Sequence, residues 1–150
     1  MKRCTFCGHS KIDASYEAVK AALLCVVSDL IQNEGYDSFL IGNYGQFDRL
    51  AASVCLALRR EHPSISVSLV LPYYQPHLDS WEKAYCARFD DVIVPELEHT
   101  PYPYRIIRAN EYMVDCSDAV ISFVQTSVGG AAKTLAYAKR KKKRILRIAL

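Results

Sequence analysis

The sequence predicts an α/β fold, a three-layer sandwich built on a mostly parallel sheet. Three observations carry that expectation. Strand-like and helix-like patterns alternate from one end of the chain to the other. DVIVP and DAVISF each place a short continuous apolar run after an aspartate, as strands buried on both faces do in parallel sheets. Three strand patterns also end in glycine-containing loops, which such a sheet would gather on one rim, beyond the carboxyl ends of its strands.

The elements follow in order. RCTFCG at residues 3–8 is a short strand ending in glycine. Residues 14–33 carry Val19, Leu23, Val26, Val27, Leu30 and Ile31 on a helical stripe that stops at Glu34-Gly35. SFLIG is a second strand. Residues 47–61 form a helix with Leu50, Ala51, Val54 and Leu58 inward, and Pro63 lies beyond it. ISVSLVLP is a third strand. Residues 79–89 are a third helix, with Asp79 or Ser80 as its cap. DVIVP and DAVISF are strands on either side of a helix over 104–116. A last helix covers 130–142, and ILRIAL closes the chain as a strand.

With 150 residues, 51% hydrophobic and 23% charged, the chain suits one domain over residues 1–150 with a full core. MKRCTFCGHSKI lacks the apolar centre of a signal peptide, and no apolar run reaches the ~20 residues that span a bilayer. A cytoplasmic protein with no membrane partner is expected. Cys25, Cys55, Cys86 and Cys116 sit singly in apolar segments and read as small core residues. Cys4 and Cys7 form one CTFC, either half a zinc site or a redox pair. No second pair or histidine pair follows, and strand positions three apart face opposite sides, so no metal site and no cofactor is expected. The net charge of +3 is mild, and its conspicuous part is KRKKKR at 139–144. That run reads as a helix end whose cations oppose the dipole, or as a patch for nucleic acid.

SVGGAAKT at 127–134 lies between a strand and a helix, where glycines often let a phosphate approach the backbone. It is not a nucleoside-triphosphate loop. Lys133 follows Gly130 only after two alanines, and the first glycine of that motif is absent. GNYGQF likewise fails the dinucleotide fingerprint on glycine number and interval. What remains is a glycine pair opening a helix, which serves either as an anion cradle or as a short connection. His9 is a candidate acid or base, or a hydrogen-bonding residue. Asp48 is either a carboxylate favoured by its helix start or an acceptor for a ribose hydroxyl. Tyr73-Tyr74 either stacks on a base or covers the sheet edge.

Taken together, FCGH, GNYGQFDRLAA, NEYMVDCSDAVISF and VGGAAKTLAYAKRKKKRILRI resemble the SLOG superfamily, which joins the Smf/DprA DNA-processing proteins to the LOG cytokinin-activating proteins. The YpsA-like branch has an F-T-G-H-R start, a G-G-A-x-G-F-D loop, an N-R-Y-M-V-D-x-S-D helix end and a P-G-G-T-G turn. The likeness runs through nearly the whole chain, in order and with matching spacing. It implies a Rossmann-like fold whose glycine loops hold a nucleotide or nucleotide-derived ligand. Carried over by position, the ligand-binding set is Gly8, His9, Gly42, Gly45, Phe47, Asp48, Asn110, Gly129, Gly130 and Thr134. Ser10 and Asn43 belong to the same loops but depart from the pattern, replacing an arginine and a glycine. Val128 stands at the family proline, and Ala132 at the third glycine.

LOG-type phosphoribohydrolases use P-G-G-x-G-T-x-x-E with an arginine upstream. Here the glutamate position is Ala136 and the arginine position is Ala109, with Arg108 one residue away. Without those groups to stabilise oxocarbenium charge and handle phosphate, the resemblance implies binding or sensing rather than that catalysis. A nucleotide-processing enzyme and a DprA-like single-stranded DNA-binding domain are the two alternatives. The expected partner is a nucleotide or nucleotide-derived small molecule. Nucleic acid is the weaker choice, and association into a homo-oligomer stays open.

Overall fold

The computed structural model describes residues 1–73 and 84–150. Its six strands are β1 (Arg3–Gly8), β2 (Ser38–Ile41), β3 (Ser66–Val70), β4 (Asp91–Ile93), β5 (Ala119–Phe123) and β6 (Arg144–Arg147). Among the described residues the connecting helices with complete bounds are α1 (Tyr16–Glu34), α2 (Gln46–Glu61), α3 (Arg105–Asp115) and α4 (Gly130–Arg140). Short 3-10 turns lead into α1 at Asp13–Ser15 and into α3 at Tyr102–Tyr104. The fold is Rossmann-like. All of its described strand pairs are parallel, in the order β4-β3-β2-β1-β5-β6.

Alternation along the strands builds two cores. Phe6, Phe39, Ile41, Leu69 and Ile121 face α1 and α2, meeting Val19, Leu23 and Leu30 from the first and Leu50 and Val54 from the second. The opposite face gives Cys7 and Val120 to Leu135 and Ala138 of α4, and Leu40 and Val70 to Ala109 and Met113 of α3. Each fully buried leucine contributes ~1.5–3 kcal/mol of transfer free energy. Cys4 and Cys7 lie on opposite faces, as strand geometry requires.

Helix ends follow local chemistry. Gly35 closes α1 in the left-handed region (φ 73°), with its N–H bonded to the Leu30 carbonyl. Beyond α2, Pro63 cannot continue a helix.

Several expectations need correction. The DVIVP strand is not buried on both faces. It is the edge of the sheet among the described residues, and Val92 keeps 38% of its surface exposed, because no further described strand covers that side. Cys25 lies on the exposed side of α1, and Cys86 and Cys116 are only partly buried, so of the four isolated cysteines only Cys55 is a core residue. The helix expected over 79–89 lies partly outside the described residues, as do its caps Asp79 and Ser80 and also Tyr74. Within the described part, residues 84–86 are helical and Phe89 is in a bend. No helix among the described residues is long and apolar enough to cross a membrane.

The strand order reverses between β1 and β5. From β1 the chain steps outward through β2, β3 and β4, then returns to β5 on the other flank of β1. Loops leaving those two strands diverge and leave a crevice above their carboxyl ends.

Candidate functional site

A cleft of about 270 Å³ occupies that crevice. Its floor is the end of β1, Phe6 to Gly8, and the β1 exit loop adds His9 and Ser10. The β2 exit contributes Tyr44, Gly45 and Asp48. From α3 come Ile106 and Asn110, one turn apart on one face. Val128, Gly129, Gly130, Ala131 and Thr134 complete the wall at the start of α4. Of the residues expected from sequence, Gly8, His9, Ser10, Gly45, Asp48, Asn110, Gly129, Gly130 and Thr134 are brought together here.

Gly42, Asn43 and Phe47 do not line it. Phe47 is completely buried and stacks on Phe123 with ring centroids 6.2 Å apart, supporting the floor from behind. Gly42 is buried against Asp48 and Met113. Their likeness to loop positions in the sequence pattern reflects how the loop packs.

The β1 exit loop is tied to the start of α2. The N–H groups of Gln46 and Phe47 bond to the carbonyls of Ser10 (2.9 Å) and His9 (3.4 Å). The Gln46 side-chain carbonyl accepts from the Ile12 N–H, and its amide donates to the Asp13 carboxylate. Two glycines permit this closeness. A Cβ on Gly8 would lie 2.3 Å from the Phe47 ring, and one on Gly45 would lie 2.4 Å from the Ser10 Cα. The first two N–H groups of α2 are thus consumed by the protein itself.

The start of α4 is different. Gly129 is its N-cap, with φ 102° and ψ 175°, a region that only glycine adopts freely. Lys133 N–H returns to the Gly129 carbonyl, while the N–H groups of Gly130, Ala131 and Ala132 make no hydrogen bond among the described residues. Such first-turn donors are unpaired in any helix and carry the positive end of its dipole. A Cβ on Gly130 would meet nothing within 4 Å, and its φ is not left-handed. Neither packing nor backbone conformation requires glycine there.

Around these donors the side chains are polar but not cationic. Among the described residues, no Lys or Arg lines the cleft. His9 accepts the Gln125 N–H at its Nε2 (2.7 Å), which assigns the ring proton to Nδ1 and anchors the chain leaving β5. The hydrogen-bonding role read from sequence is the one the geometry displays. Asp48 accepts the Tyr44 N–H at Oδ2 (3.0 Å), yet burial outweighs that bond and raises its carboxyl to about 6. Burial first, then the Asp48 charge, pushes the Cys7 thiol up to about 12, and its S–H donates to the Ala131 carbonyl at 3.1 Å. Cys7 is therefore a protonated packing group rather than a nucleophile.

The positions of the LOG catalytic pair hold nothing comparable. Ala109 is buried against the sheet, and Ala136 lies outside the cleft on an adjoining groove between α3 and α4. Arg108 points to solvent and pairs with Glu111 at 2.9 Å.

The site residues carried over from the family pattern leave out Phe6, Cys7, Tyr44, Ile106, Val128 and Ala131 at the cleft, although Cys7, Tyr44 and Val128 stand in the three strand-end glycine loops. Tyr44 sits inside the GNYGQF loop, and Ile106 precedes Asn110 by one helical turn, so loop membership and helical period were the available signals.

Residues 2–148 match the YpsA family, described as the YspA SLOG family. The chain belongs to that family. Among its relatives, this YspA SLOG chain is 27% identical over 138 residues to the uncharacterized SPbeta prophage-derived protein YoqJ of Bacillus subtilis, covering 81% of each. Two solved structures share its fold. One is DNA processing protein A from Helicobacter pylori, whose structure is described by its single-stranded DNA binding mode (TM-score 0.68, 14% identity, 99% of this chain and 66% of that one). The other is DNA processing protein A from Streptococcus pneumoniae (TM-score 0.66, 13% identity, 99% of this chain and 50% of that one). The YspA SLOG chain therefore spans two thirds or less of each DNA processing protein.

Proposed function

We propose that the cleft binds a nucleotide or nucleotide-derived molecule through its phosphate, and that the protein is a binding or sensing module for it. One observation carries this reading: the first turn of α4 holds unpaired N–H donors beside Gly130, whose missing side chain leaves open space. Gly130 opens the helix, and with neither packing nor conformation requiring glycine there, its missing side chain leaves room for an anion against the backbone. With no lysine or arginine on the walls among the described residues, the anion is taken by backbone dipoles and the Asn110 amide.

The test is a thermal-shift series with AMP, ADP, ADP-ribose, NAD and cyclic nucleotides against the free nucleosides and sulfate. Phosphorylated probes are expected to raise the Tm more than their nucleosides. A hundredfold excess over Kd is worth roughly 2.7 kcal/mol, a shift of several degrees for a domain of this size. Equal shifts from nucleosides, or the full shift from sulfate alone, would overturn the reading. Chromatography of the same mixtures is expected to find no released base.

A further inference from the structure

The two walls of the cleft offer opposite chemistry. At α4 the polar groups are N–H donors with the dipole's positive end. At α2 stands the Asp48 carboxylate, an acceptor with no cation beside it among the described lining residues. Its Oδ2 takes the Tyr44 N–H, and Oδ1 has no hydrogen-bond partner among the described residues. A phosphate near Asp48 would be repelled, so a ligand that fits both walls brings an anion to one end and hydroxyl or N–H donors to the other. A volume of about 270 Å³ lies just below the usual ~300–1,000 Å³ of ligand sites and suits one sugar phosphate rather than a dinucleotide.

Resting on the phosphate reading above, we propose that Asp48 accepts the 2′- and 3′-hydroxyls of a ribose 5′-phosphate, making this a ribonucleotide-selective site that rejects 2′-deoxyribonucleotides. In a nucleoside 5′-phosphate the diol and the phosphate leave opposite sides of the ribose ring, and Asp48 and the α4 turn reach the cleft from helices packed on opposite faces of the sheet. Doubly wound dinucleotide folds use an acidic residue for the same diol while a helix start holds the phosphate. A buried acceptor left unpaired by a ligand lacking the hydroxyl weakens binding by about tenfold or more.

The experiment compares calorimetric Kd values for AMP and 2′-deoxy-AMP, and for GMP and 2′-deoxy-GMP, on the full chain and on Asp48→Asn, each with and without EDTA. The wild type is expected to favour each ribonucleotide by about tenfold or more. In Asp48→Asn that preference should shrink towards unity, while 2′-deoxynucleotide affinity is kept or improved; a structural role alone would weaken both members of a pair equally. Equal affinity for ribo and deoxy forms in the wild type overturns the proposal but leaves the phosphate reading standing. So does discrimination set by the base alone, or binding abolished by EDTA. Binding of none of the phosphorylated probes overturns both.

Discussion

Asp48 is held where its charge is costly. Its carboxyl sits at about 6 because burial opposes ionisation, with Cys7, Tyr44 and Tyr85 as the ionisable groups around it. Between the ordinary 3.8 and that value the folded protein binds the proton more tightly than the unfolded chain. Stability is therefore fully present below about pH 4 and falls as pH rises through 6. Asp48→Asn is expected to raise stability at pH 7.5 by about 1–2 kcal/mol and to change it little at pH 4. Denaturant titrations at the two pH values check this; an equal effect at both would refute the burial argument. The glycines divide in the same manner. Gly8→Ala and Gly45→Ala should each lower stability by about 1–3 kcal/mol, because the added methyl meets the Phe47 ring or the Ser10 backbone. Gly130→Ala, facing open space, should hold or raise the Tm. Gly130→Val should keep the circular dichroism spectrum and lose nucleotide affinity. Gly129 is a poorer probe, because its φ of 102° makes any side chain there a backbone defect as well.

At the scale of elements, the loops around the cleft are braced unequally. The chain from β1 to α1 is fixed by the Gln46 side chain and by α2's own N–H groups. The chain leaving β5 is anchored by the bond from Gln125 N–H to His9 Nε2. His9→Ala is expected to cost about 1 kcal/mol and to speed hydrogen exchange at Gln125 and the residues up to Gly129. Unchanged exchange there would mean that the segment is held by other contacts. The far end of α4 serves a separate purpose. Lys139 and Arg140 lie in its last turn, Arg140 and Lys141 pack over the Tyr137 ring, and Arg144 pairs with Glu34 at the end of α1. These cations oppose the helix dipole and brace neighbours, which is the plainer of the two sequence readings.

For the whole molecule, topology separates charge from cleft. The strands are parallel and α4 runs back against them, so Gly130 is at their carboxyl end and the basic run, entering β6 at Arg144 opposite Ala119, is at their amino end. Replacing Lys139, Lys141 and Lys142 together by glutamine should leave nucleotide Kd unchanged within about twofold, since charges farther away than a Debye length of ~8 Å are screened. Any affinity for single-stranded DNA should fall, with a shallower salt slope. A loss of nucleotide affinity in this variant would mean that cleft and basic run act as one surface.

Local pattern determined most of the elements. RCTFCG is β1 residue for residue, and the α2 stripe of Leu50, Ala51, Val54 and Leu58 is buried as its period requires, because each depends on burying one apolar face. The order of motifs placed the glycine loops on one rim, and the strand ends converge there. Only the tertiary structure decided what each loop residue faces. Gly8, Gly45 and Gly130 look alike in a sequence, yet the first is held to glycine by the Phe47 ring and the second by the Ser10 backbone, while nothing presses on the third. Phe47 and Asp48 are adjacent, but helical geometry turns one into the core and the other to the cleft. DVIVP and DAVISF share an apolar pattern, while strand order makes the first an edge and the second a centre. Such differences depend on contacts between residues far apart in the chain, which no local pattern encodes.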